Sequence, residues 1–120
     1  MEKTQKEIVE EKLEKVAGGS LDDFRVNSLA DSMQKFIDIL ANQPLLSQLD
    51  CCDEAKTYLE QAKDHLINYR IENAYICTQD ARLKIEAGIS STPEHAFALE
   101  NVLERFYPII RTLGELLDSI

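Results

Sequence analysis

The chain has no stretch approaching the roughly 20 consecutive apolar residues that cross a bilayer, and its opening, MEKTQKEIVEEKLEKV, lacks the apolar segment of a signal peptide. Membrane insertion and secretion are therefore not expected, and the cytoplasm is the expected location. Basic residues are scarce: 13 Lys and Arg stand against 22 Asp and Glu, a net charge of −9. Such a field repels phosphate backbones, which are bound through clustered Lys and Arg, so direct nucleic-acid binding is not expected. Cysteine is limited to Cys51, Cys52 and Cys77, an odd count without CxxC spacing. That pattern argues for reduced thiols rather than a secreted disulfide framework.

The local signatures of catalysis are missing as well. No GxSxG, HExxH or Gly-rich phosphate loop occurs, so no nucleophile, metal pair or phosphate cradle is nominated. Di-iron bundles use a Glu with a His three residues later, but Ala62 precedes His65 at that distance and Thr92 precedes His95. Adjacent Cys51 and Cys52 cannot easily both reach one tetrahedral ion, so neither a metal nor another cofactor is expected. The 22 carboxylates are scattered, which describes solvated helix faces better than an acid and base pair. The chain is not expected to be an enzyme.

Glycine (4) and proline (3) are few and fall mostly where the apolar period resets, as punctuation between helices does. Thr4 and Glu7 have capping-box spacing, and Ile8, Val9, Leu13 and Val16 follow on one stripe before Gly18 and Gly19. Residues 1–19 are thus expected to form a short charged helix with enough charge to stay mobile. Residues 20–120 are expected to form one domain, large enough to bury a core without disulfides or metal.

Within that domain Ser20 can cap a helix, and Leu29, Met33, Phe36, Ile37 and Leu40 recur at spacings of three and four until Pro44. Asp50 or Asp53 can cap the next, whose face is Ala55, Tyr58, Leu59, Ala62, Leu66 and Tyr69. No Gly or Pro lies between Asp53 and Ala87, which leaves two readings: a turn at Asn68 to Asn73, favoured, or one long helix. Ala74, Cys77, Ala81 and Ile85 form the stripe of the second arm. Gly88 reads as a stop, and Thr92, Pro93 and Glu94 as a restart with Thr as cap. Leu99, Val102, Leu103, Phe106, Ile110, Leu113, Leu116, Leu117 and Ile120 then keep one face apolar, with a kink or break expected at Pro108.

The fold class expected is all-α: an antiparallel bundle of about four main helices, 21–42, 53–68, 71–87 and 93–119, preceded by the short charged helix. A homodimer follows from the alternative in which 53–87 is a single helix, because unequal helices would leave apolar surface uncovered. The stretch AKTYLEQAKDHLINYRIENAYICTQDARLKIE resembles a tetratricopeptide unit in the spacing of Ala62, Ala74 and Ala81. It lacks that family's aromatic and proline marks and any second copy.

The function expected is a non-enzymatic acidic interaction protein, an adaptor, assembly factor or inhibitor, whose partner carries a basic surface. The candidate partner-binding residues are Tyr75 and Tyr107, amphipathic side chains off the main stripes, with Leu45, Leu46, Leu49 and Asp50 in the connection after Pro44. The alternative is a histidine phosphotransfer protein or a small-molecule enzyme centred on His65. In size and helicity the chain resembles histidine phosphotransfer domains, but Leu66, Ile67 and Asn68 replace the small residue and lysine that follow the histidine there.

Overall fold

Helix follows helix from Ser20 to Asp118 in a computed structural model that describes residues 20–120, with side chains described from Asp23 onward. They are α1 (Ser20–Asn42), the single turn α2 (Pro44–Ser47), α3 (Asp50–Ile67), α4 (Ile71–Ser91) and α5 (Ala96–Asp118). A 3-10 turn at Pro93–His95 leads into α5. Among the described residues there is no strand. The expected helix in residues 1–19 and its capping box lie outside the described residues.

The four long helices pack in sequence, α1 on α3, α3 on α4 and α4 on α5, and α5 closes back on α1 through a much thinner contact. Short connections make neighbours antiparallel, so this is an up-down-up-down bundle around one apolar core. From α1 the core takes Val26, Leu29, Met33, Phe36, Ile37 and Leu40, the expected stripe extended by one turn. At mid-height Phe36 and Phe106 stack with centroids 4.6 Å apart and planes 13° from parallel.

The favoured turn between α3 and α4 is present, which removes the single helix 53–87 and with it the argument for a dimer from uncovered apolar surface. The turn is a Schellman closure: Arg70 N–H donates to the His65 carbonyl at 2.8 Å and Tyr69 N–H to the Leu66 carbonyl at 3.0 Å. The residue in the left-handed conformation is Tyr69, with φ of 61°. A Cβ there costs roughly 1 kcal/mol that glycine would avoid. The Tyr69 ring is packed against the core and its hydroxyl donates to Asp23 Oδ1 on α1, interactions that offset the strain.

Several boundaries differ from those expected. Helix α3 starts at Asp50 rather than 53, and neither Asp50 nor Asp53 is its cap; Leu49 holds that position in extended conformation without a side-chain bond. Both carboxylates instead lie in the first turn, where the helix dipole favours them. Gly88 does not stop α4, which runs on to Ser91. Thr92 does not cap forward: its hydroxyl donates back to the Gly88 carbonyl at 2.7 Å, ending α4 instead of starting α5.

The core position on α4 is Thr78, not Cys77, because the buried set Ile71, Ala74, Thr78, Ala81, Ile85 and Gly88 keeps strict three and four spacing. The Thr78 hydroxyl is satisfied by the Ala74 carbonyl at 2.7 Å, so its burial leaves no orphan donor. Helix α5 passes through Pro108 without the expected break. Pro108 and Glu104, whose carbonyl the missing N–H would have met, are both exposed, so water can take the bond. Ile109 is buried on α5, whereas Ile110 and Leu117 are only partly covered and Ile120 is exposed.

Candidate interaction groove between the first and last helices

The thin seam between α1 and α5 is a groove of about 280 Å³. Its floor is Leu29 and Ile109, both core residues, and its walls carry Arg25, Ser28 and Ser32 from α1 and Pro108 and Thr112 from α5. The small side chains of Ser28, Ser32 and Thr112 help the seam stay open. Ser32 Oγ donates to the Ser28 carbonyl at 3.2 Å and Thr112 Oγ1 to the Pro108 carbonyl at 2.9 Å. Both hydroxyls are therefore turned onto their own helices, and the groove offers mainly C–H surface.

Phe24 stands at the mouth of this groove with 68% of its surface exposed. A phenylalanine left in water forgoes on the order of 2 kcal/mol of burial. The stripe beginning at Val26 is in phase with the core, and Phe24 is out of phase with it, which is why folding alone cannot bury it. That off-phase aromatic was the signal available in the sequence, and the reading of Tyr75 and Tyr107 as anchors passed over it. Phe97, 78% exposed at the start of α5, is a second off-phase aromatic.

The expected partner-binding residues are not brought together. Leu46 is 1% exposed and belongs to the core, because α2 folds it inward as the lid of the bundle end; it is unavailable to a partner. Leu49 is partly buried against the same core, while Leu45 and Asp50 are exposed. Cys51, Gly88 and Leu99 meet at that end of the bundle. Tyr107 is exposed too, but it lies two turns farther along α5 than Leu99. Tyr75 is half-buried beside Gly114, and its hydroxyl accepts from Gln79 Nε2 of the same helix at 2.7 Å.

His65 has a place in the α3–α4 turn. Its Nδ1 accepts from Arg70 Nε at 2.8 Å, and the same guanidinium reaches Asp64 Oδ2 at 3.3 Å. A second hollow, about 210 Å³, lies beside this turn, lined by Tyr69, Arg70, Ile71, Leu117 and Ile120. Half-buried and bonded to a cation that cannot give up its charge, the imidazole presents its Nδ1 as an acceptor to the turn.

The thiols are free, and burial pushes Cys52 up to about 12, with the neighbouring Cys51 adding to the rise. Burial also raises Cys77, with Asp80 contributing. Elevated thiols are poor nucleophiles and poor metal ligands. Among the described residues, no three His, Cys, Asp or Glu side chains are grouped to hold a metal ion. No described helix is long and apolar enough to cross a membrane.

No family model, no curated protein and no solved structure matches the chain. The groove therefore stands on its geometry alone.

Proposed function

We propose that this chain is a non-enzymatic interaction module, an adaptor, assembly factor or inhibitor, that receives an amphipathic helix of a protein partner in the groove between α1 and α5. The observation that carries the reading is Phe24, a large apolar side chain held in water at the mouth of a groove whose floor is already apolar. A helix laid there covers Phe24 above the already buried Leu29 and Ile109 and adds to the packing that α5 makes only thinly with α1. Recognition of an apolar helix face by such a groove follows the helix-in-groove mode.

The net charge of −9 supports a partner with Lys and Arg flanking its apolar stripe, since complementary fields speed encounter and disfavour wrong partners. The test is capture of partners by the parent chain and by Phe24→Glu, each washed at low and then high salt. A protein retained by the parent, lost with Phe24→Glu and weakened by salt is the expected result. Identical retention by both chains, or no specific retention by either, overturns the reading.

A further inference from the structure

We infer that the helix taken by this groove carries carboxylates toward one end of its apolar stripe, where Lys35 and Arg105 meet them, and that these two cations decide which helices bind. This rests on the groove being the docking site proposed above and names the chemistry of its occupant.

Charge along the seam runs against that of the whole chain. Helical spacing carries the α1 wall from Ser28 and Ser32 on to Lys35, and the α5 wall from Thr112 and Pro108 back to Arg105. Arg25 lines the groove itself. These positions supply three cations, and no carboxylate shares them, in a chain whose net charge is −9.

Lys35 and Arg105 stand at one level. Each directly precedes a phenylalanine of the Phe36–Phe106 stack, whose centroids are 4.6 Å apart, so the two exposed cations flank the seam from opposite helices. Both lie roughly 6 to 9 Å from the Leu29 and Ile109 floor, toward the end of the bundle where α2 sits. Among the described residues neither makes an ion pair, whereas Arg70, Arg82 and Lys84 each hold a carboxylate. An apolar helix centred on the floor meets this pair about four to six residues from its own centre, and Asp or Glu there is the complement.

The Lys and Arg that the net charge favours on a partner belong farther out. Asp31 on α1 and Glu104 and Glu115 on α5 lie exposed on the outward faces of the same helices and receive them. A helix of one charge sign throughout matches only one of the two zones, so the pattern of charge selects the partner, beyond its net charge.

The experiment uses the full chain and two synthetic helical peptides, alike in their apolar stripe and flanking Lys. One carries a pair of Glu about five residues from its apolar centre, and the other a pair of Lys there. Binding is measured by calorimetric titration for the parent and for Lys35→Glu/Arg105→Glu, two exposed positions. The expected result is that the parent prefers the Glu peptide by about tenfold and that the double variant prefers the Lys peptide. A parent without preference for the Glu peptide, or a double variant without preference for the Lys peptide, overturns the inference. If Phe24→Glu nevertheless abolishes binding of both peptides, the groove remains the docking site and only the charge assignment falls. Binding of neither peptide to the parent overturns this inference and the groove reading together.

Discussion

Gly88 of α4 sits directly against Cys51 of α3: a Cβ at position 88 would overlap the Cys51 sulfur and stand 3.0 Å from its Cβ. Leu99 Cδ1 of α5 is 3.4 Å from the same point, so three helices converge on one missing side chain. This glycine is required by close approach, in the last turn of a helix, at a position that would otherwise favour alanine.

Gly88→Ala is expected to destabilise the fold by about 1 to 3 kcal/mol, the usual range for overpacking, despite the better helix propensity of alanine. Cys51→Ala removes the sulfur that the new methyl meets, so the loss from Gly88→Ala should be smaller in a Cys51→Ala background. Thermal melts of the four proteins in this cycle decide it. Equal losses in both backgrounds would show that the clash lies elsewhere.

At Tyr69 the backbone and the side chain pull in opposite directions. Tyr69→Ala loses the ring but keeps the left-handed strain, whereas Tyr69→Gly loses the ring and relieves it. The glycine variant is expected to be the more stable of the two by roughly 1 kcal/mol, measured by denaturant unfolding. The opposite order would mean that the turn opens when the ring is removed.

Phe106→Ala is expected to cost about 3 to 5 kcal/mol and Leu103→Ala about 2 to 5, as large-to-small changes in a core do. Since Phe36 and Phe106 stack, their alanine variants should be non-additive by roughly 0.5 to 1.5 kcal/mol. Additive losses in a double-mutant cycle would remove the stacking contribution.

Cys52 provides a pH prediction with a definite sign. The unfolded thiol loses its proton near 9.0, whereas the folded one keeps it to about 12. Between these values the folded state binds more protons than the unfolded, so stability falls as pH rises through that window and is unaffected by this group below it. Cys52→Ala should flatten that alkaline decline. At neutral pH a disulfide reagent should modify Cys51 and Cys77 before Cys52, which is 1% exposed and reachable only on opening.

What the amino-acid sequence by itself determined is the part of the molecule written in periodicity. The all-α class, the stripe from Leu29 to Leu40 and the face from Leu99 to Leu116 follow from apolar side chains recurring at helical spacing, because a helix must bury its apolar stripe; the turn after Asn68 is favoured over one long helix but decided only by the structure. The charge balance is likewise a property of composition alone. What only the tertiary structure decided is whatever depends on a neighbour. Gly88 reads as a stop until Cys51 and Leu99 are placed against it, and Thr92 reads as a forward cap until its hydroxyl finds the Gly88 carbonyl. Leu46 reads as a candidate partner contact until α2 turns it into the core, and Thr78 displaces Cys77 because the packed phase of α4 is set by α3 and α5. The groove is of the same kind: it lies between two helices distant in sequence, and no local pattern reports what a face will meet.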